Sequence, residues 1–306
     1  MKFYYKKRSF WSRVVRELIW LTGVKYQLSS EKRIKKLLHK KLSSDSIYKL
    51  PSIYHRYVSE GSDNDMMIYS LKGSLAELRD QVILYVHGGS YVGEMIIPQL
   101  RMLSKIATQT EATTLIPIYP LAPKHTYEAA YDLITRLYKD LLKEKDSSHI
   151  HFMGDSAGGG FILAFAEHLK TLSLPQPKNI IMLSPWLDIT MSNKHIAQYE
   201  DLDTSLSATG LIVSGLAWAG SLDPKSYLVS PIYGDLTGLG RLSVFIGTHE
   251  IFYPDCLELD RKLDALGIDH NFFEYKGQGH VFPAMPIREA DMAISQIRDI
   301  VLKAIG

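Results

Sequence analysis

Ser156 stands between glycines in His151-Phe152-Met153-Gly154-Asp155-Ser156-Ala157-Gly158-Gly159-Gly160. A β-prone run, Ile150 to Met153, leads into Gly154, and an apolar run that reads as a helix follows from Phe161 to Lys170. A strand, a sharp Gly-x-Ser-x-Gly turn and a helix form a nucleophile elbow, which lifts the serine hydroxyl clear of the backbone. Glycine two positions either side avoids clashing with so tight a turn. A serine hydroxyl is a weak nucleophile at neutral pH and needs a base, usually a histidine oriented by a carboxylate.

Three partners are therefore expected. His280, in the glycine-containing loop Gly277-Gln278-Gly279-His280-Val281-Phe282, is the candidate base. The order serine, acid, histidine demands a late histidine, and of the eleven in the chain only His280 lies beyond His270. His270, at the start of a strand, reads as structural. The acid should follow the preceding strand, where Val244-Phe245-Ile246-Gly247 runs into Thr248-His249-Glu250. Glu250 is favoured because it lies at the strand end, and Asp255 is the alternative, near the start of the next helix. A zinc-protease reading of His249-Glu250 fails because position 253 is Tyr. The third partner is a donor set for a developing oxyanion. Val86-His87-Gly88-Gly89-Ser90 follows a buried run, so the N–H groups of Gly88 and Gly89, with that of Ala157, are expected to converge on one oxygen.

These residues need a scaffold. Gln81 to His87 is a continuous apolar strand, and downstream of it strands and helices alternate. Helices are read over 100–110, 127–143 and 161–170, and strands over 113–119, 149–154 and 179–184. Strands resume over 242–247 and 270–275, around a helix at 256–266, and a closing helix spans 285–305. The alternation predicts a largely parallel α/β sheet with helices on both faces. Upstream, Ile53 to Val58 and Met66 to Leu71 read as strands around the turn-forming residues 61–65. Residues 185–240 carry a helical stretch at 209–219 but no clear strand, and read as an insertion gathered over the site.

The 306 residues carry little net charge, but its distribution is uneven. Residues 1–41 hold thirteen Lys and Arg against two Asp and Glu, a net of +11, and the remainder holds 22 against 31, a net of −9. The acidic bulk argues against a nucleic-acid partner. Residues 1–22 read as a basic amphipathic helix with Phe10, Val14, Leu18 and Leu21 on one face, packed on the protein or laid on a membrane surface. A second helix is read from Ser30 through Leu42. One cysteine, Cys256, excludes an internal disulfide and a cysteine-cluster metal site. No apolar run approaches a membrane span, and the charged N-terminus argues against a secretory signal, so a cytoplasmic location is expected.

Several motifs in order carry a family resemblance. They are His87-Gly88-Gly89-Ser90, Tyr119-Pro120-Leu121-Ala122-Pro123-Lys124, Gly154-Asp155-Ser156-Ala157-Gly158-Gly159, Ser184-Pro185-Trp186-Leu187-Asp188 and Gly279-His280-Val281-Phe282. From about Gln81 to the C-terminus the chain resembles the hormone-sensitive-lipase-like esterases of the α/β-hydrolase superfamily. The resemblance implies an eight-stranded, mostly parallel sheet with a helical cap. Residues 1–50 would supply the N-terminal cap segment and 51–306 the catalytic domain, with a cap insertion at about 186–225. It implies hydrolysis of short- to medium-chain carboxylic esters through a serine acyl-enzyme, without metal or organic cofactor. Ser90 stands where the family usually has a third glycine, and Glu250 where it usually has aspartate. Ser90, Tyr91 and Trp186 are expected against a small-molecule ester. An amidase or peptidase, a membrane-interface lipase and a non-catalytic receptor share the scaffold, and a homodimer is a further option.

Overall fold

The computed structural model describes residues 1–5, 7–43, 50, 59–63, 66–76 and 80–303. Its strands are β1 (Lys2–Tyr5), β2 (Ser59–Asp63), β3 (Met66–Lys72), β4 (Val82–Val86), β5 (Thr113–Pro117), β6 (Ile150–Asp155), β7 (Asn179–Leu183), β8 (Arg241–Gly247) and β9 (Asn271–Tyr275). They form one sheet in the order β1-β9-β8-β7-β6-β4-β5-β3-β2. Only the β2–β3 and β3–β5 pairs are antiparallel. β4, β6 and β7 are buried along their whole length, as central strands covered on both faces must be.

The helices are α1 (Phe10–Leu21), α2 (Val24–Leu28), α3 (Glu31–Leu42), α4 (Ile97–Thr110), α5 (Tyr127–Glu144), α6 (Ala157–Thr171), α7 (Ala197–Glu200), α8 (Ala208–Ala219), α9 (Tyr253–Ala265) and α10 (Arg288–Leu302). One core joins α5, α6, α8 and α9 to one face of the sheet, and a second joins α4 and α10 to the other. The strands serve both. In β4, Val82, Leu84 and Val86 point into the first core, and Ile83 and Tyr85 into the second.

Register decides where the loops gather. Val86 of β4 lies opposite Gly154 of β6, and Gly154 opposite Met182 of β7. The carboxyl ends of these strands are therefore level. The segments 87–91, 155–157, 184–186 and 247–250 all leave the sheet along one edge, where ligands bind in open α/β sheets.

The N-terminus departs from expectation. Residues 1–22 are not one helix, because Lys2–Tyr5 forms β1 and pairs parallel with β9. The strand is selected by alternation: Phe3 stacks on Phe273 at 4.6 Å and Tyr5 on Tyr275 at 4.4 Å. The helix begins only after Ser9, whose hydroxyl caps it by accepting from the Ser12 N–H. The eight strands of the expected fold, β2 to β9, thus gain a ninth, and residues 1–50 are not purely cap. Of the two placements open for the apolar face of α1, packing on the protein is not the one seen for its larger side chains. Phe10, Leu18 and Leu21 are exposed, while Ser12 is buried against the body of the protein. Near β2 the strand runs over Ser59–Asp63, part of which reads as a turn from sequence, because this polar segment sits at the sheet edge. The strand expected at 53–58 lies outside the described residues.

The Phe3Ala/Tyr5Ala double variant is expected to lose about 2 kcal/mol of unfolding free energy, since it removes two aromatic stacks from the β1–β9 pair. Urea denaturation measures it, and an unchanged midpoint would show that β1 adds nothing to the sheet.

Candidate active site

The elbow is set by contact between backbones. Ser156 has φ 53° and ψ −123°, a conformation that costs about 1–3 kcal/mol and persists only where neighbours enforce it. Here they do. Its N–H donates to the Leu183 carbonyl at 2.8 Å, and its carbonyl accepts from Gly160 at 3.1 Å and Trp186 at 2.9 Å. A Cβ on Gly154 would lie 2.4 Å from the Gly158 oxygen, and one on Gly158 would lie 2.0 Å from the Val86 oxygen. Both glycines are required by this approach, as the spacing in the sequence implies.

Ser156 Oγ lies 2.9 Å from His280 Nε2, and His280 Nδ1 lies 2.9 Å from Glu250 Oε2. Glu250 is wholly buried. Its other oxygen accepts from Ser184 Oγ at 2.9 Å and from the Gly247 N–H at 2.8 Å. Ser184 Oγ in turn accepts from the Val281 N–H, so the Glu250 carboxylate and the His280 loop share one anchor. Burial raises the Glu250 pKa above its ordinary value, against the opposing pull of the His280 hydrogen bond and charge. For His280, burial alone would lower the pKa. The hydrogen bond and charge of Glu250, with the charges of Asp203 and Asp155, outweigh it and leave the pKa raised.

The alternative acid is elsewhere. Asp255 accepts from Asn193 Nδ2 at 2.9 Å, and burial pushes its pKa up to about 7. No hydrogen bond joins it to His280 among the described residues. His270 is structural, bonded to Asp260 and to the Ile268 carbonyl.

The donor loop corrects one expectation. The Gly88 N–H is not free for an oxyanion, because it donates to Asp155 Oδ1 at 2.9 Å. The Asp155 carboxylate also accepts from the Tyr85 hydroxyl and from Gln99 Nε2, at 2.9 Å to Oδ2. It thereby ties the loop after β4 to the elbow. The next two residues, Gly89 (φ 133°) and Ser90 (φ 55°), turn the backbone over, and their N–H groups have no partner among the described residues. Ala157 opens α6, where the first N–H groups have no intrahelical acceptor. Gly89, Ser90 and Ala157 thus each offer a free N–H on these segments.

Tyr91 and Trp186 also differ from expectation. Both are core residues: Tyr91 stacks on Trp218 at 4.4 Å, and Trp186 donates from Nε1 to the Asp188 carbonyl at 2.8 Å. They brace the loop ends through α8 instead of presenting faces to a substrate. Asp155, Gln99 and Ser184 were not singled out from the sequence. The available signal was Asp155 itself, a charged residue in an otherwise apolar glycine-rich run.

Among the described residues, one group has the donor atoms for a cation: Asp260, Asp264 and His270. Lys2 Nζ already lies 2.7 Å from Asp260 and 2.5 Å from Asp264, so an ammonium supplies the positive charge there.

Gly158→Ala is expected to cost about 2–3 kcal/mol or more, because backbone, not a pliable side chain, meets the added methyl. Equilibrium denaturation checks this, and wild-type stability would contradict the packing described.

Comparison with known proteins bears on the fold and the family. The model of a family described as having the alpha/beta hydrolase fold matches residues 83–284. An esterase of Acinetobacter venetianus is 29% identical over 226 residues, covering 72% of this chain and 74% of that protein. An acetyl-hydrolase of Streptomyces hygroscopicus is 26% identical over 211 residues, covering 67% and 71%. Among solved structures, an esterase from the bacterial hormone-sensitive lipase family superposes with a TM-score of 0.83 at 27% identity, covering 98% of this chain and 100% of that one. Motifs, sheet order and these likenesses agree: the chain belongs to the α/β-hydrolase fold family, in its hormone-sensitive-lipase-like branch of carboxylic ester hydrolases.

Proposed function

We propose that the protein is a serine carboxylesterase in which Ser156, His280 and Glu250 form the catalytic triad. The observation that carries this reading is the pair of 2.9 Å contacts from Ser156 Oγ through His280 to Glu250. Ser156 Oγ attacks the ester carbonyl while His280 Nε2 takes its proton. Glu250 holds the Nδ1–H tautomer and stabilises the imidazolium that forms. The carbonyl oxygen gains negative charge and is met by the N–H groups of Gly89, Ser90 and Ala157. Each such donor is worth about 3–4 kcal/mol in the transition state. As the tetrahedral intermediate collapses, His280 delivers its proton to the leaving alcohol and the acyl group stays on Ser156. Water, deprotonated by His280, then releases the acid and restores the serine. Short acyl esters are the favoured substrates, a reading supported by the acetyl-hydrolase relative.

On this reading Ser156→Ala lowers kcat for p-nitrophenyl acetate about 10⁴-fold or more, and Glu250→Gln about 10³–10⁴-fold, with folding intact. Asp255→Asn should keep kcat within about threefold, because Asp255 is bonded to Asn193 and His280 is bonded to Glu250. A Glu250→Gln enzyme with wild-type kcat would overturn the assignment of the acid. The base must be neutral to act, so kcat/KM falls as pH drops through the His280 pKa. Because that pKa is raised, the acid limb of the wild type lies above the ordinary imidazole value of 6.5, and loss of the Glu250 charge moves it down. A limb at or below 6.5 in the wild type would contradict the coupling.

A second element bears on where the substrate is met. Phe10, Trp11, Leu18, Trp20 and Leu21 are all more than half exposed on α1, beside the exposed cations Lys7 and Arg13. No described helix is long and apolar enough to cross a membrane. The α1 segment suits instead the surface of an anionic bilayer, with apolar side chains inserted and basic ones at the headgroups. Co-sedimentation with phosphatidylserine-containing vesicles is expected, and the Trp11Ser/Leu18Ser/Leu21Ser triple variant should lose it. Equal recovery with and without vesicles would rule the contact out.

A further inference from the structure

The buried side of α1 lines a small cavity, and His280 is among the residues that line it with α1. Arg8, Ser12 and Arg16 line it from the N-terminal segment, and Gln278 lines it from the loop before His280. Its volume is about 20 Å³, room for one compact group.

The chemistry of the lining is one-sided. Ser12 Oγ accepts from Arg8 Nε at 3.1 Å and donates to Gln278 Oε1 at 2.8 Å. That chain orients the Gln278 amide and leaves its Nε2 as a buried donor without an acceptor. Gln278 is only 2% exposed. Arg16 Nε is a second buried donor without an acceptor, although Arg16 Nη1 reaches His249 Nδ1 at 3.1 Å. Orphaned buried donors are rare in folded proteins, and here two belong to residues that line one cavity.

Charge adds to this. Among the described residues neither Arg8 nor Arg16 is ion-paired. The nearby Glu289 accepts from the Ser9 N–H at 2.6 Å and from the Ser9 hydroxyl at 2.8 Å, and Glu17 is exposed. His249 has its pKa lowered by burial first, then by Arg16, Arg8 and Lys276, so it stays neutral and accepts from Arg16.

We propose that this cavity is a subsite for a carboxylate carried on the alcohol portion of the ester, held by Arg16 and Gln278 with Arg8 adding positive charge. The inference rests on the esterase reading, because His280 delivers its proton to the leaving alcohol. His280 is part of the cavity wall, so of the two halves of the ester the proposal assigns the cavity to the alcohol, the half that takes its proton from His280. The paired oxygens of a carboxylate can accept from a guanidinium and an amide together.

The test compares kcat/KM of the full chain for acetyl esters of ω-hydroxy acids of graded length with that for the matching neutral ω-hydroxy amides. At the best length the carboxylate ester is expected to be preferred about 10-fold or more. The preference should shrink with added salt, collapse toward unity in Arg16→Gln, and be partly kept in Arg16→Lys. Arg8→Gln is a second variant that should reduce it. A ratio near unity in the wild type at every length, or one indifferent to Arg16→Gln, overturns the subsite while leaving the esterase reading intact. If neither the neutral amide esters nor p-nitrophenyl acetate is hydrolysed, the esterase reading fails and the subsite fails with it.

Discussion

The start of α6 lies against the end of β4 so closely that Gly158 would place a Cβ 2.0 Å from the Val86 oxygen. The rest of the site depends on this approach. It brings the segment after β4 to the level of the elbow, and the in-register pairing of β4 with β6 keeps it there. Once the two backbones touch, the Asp155 carboxylate can reach Gly88, Tyr85 and Gln99 together. The segment after β4, which on the proposed reading supplies oxyanion donors, is thereby held by a side chain adjacent to Ser156. Preorganisation of this kind matters because donors that need not move stabilise developing charge without reorganisation.

A second constraint is electrostatic. Glu250 carries its carboxylate in a fully buried position, which would favour the neutral acid without compensation. The compensation comes from three donors, Ser184 Oγ, the Gly247 N–H and His280 Nδ1. The same Ser184 hydroxyl receives the Val281 N–H, so holding the acid and holding the histidine are one act. Acid and base come from different loops, after β8 and β9, and neighbouring parallel strands end together on the same sheet edge.

Much of this was legible in the residues. Ser156 could be found because its turn demands glycines at fixed offsets, and His280 because chain order left one late histidine. Glu250 was favoured over Asp255 by its place at a strand end, and the two carboxylates have different partners. The partner of the Gly88 N–H is not legible, because spacing locates a glycine loop but does not reveal which N–H a neighbouring carboxylate takes. The core placement of Tyr91 and Trp186 is not legible, because an aromatic after a strand has the same signature in a core as beside a substrate. β1 was hidden by brevity: four residues alternate before a much longer helical pattern, and their partners Phe273 and Tyr275 lie at the other end of the chain. The Ser12–Gln278 contact is likewise invisible to local pattern, since it joins the N-terminal helix to the histidine loop.

The most direct measurement of the central claim is covalent. A p-nitrophenyl alkylphosphonate places a tetrahedral phosphorus at an activated serine and releases p-nitrophenol, forming a bond that water does not readily reverse. Intact mass should rise by one phosphonyl group per chain as esterase activity disappears, and peptide mapping should place the added mass on Ser156. His280→Ala should slow the labelling sharply. Full loss of activity with the label on another residue, or persistent activity in fully labelled Ser156, would contradict the account.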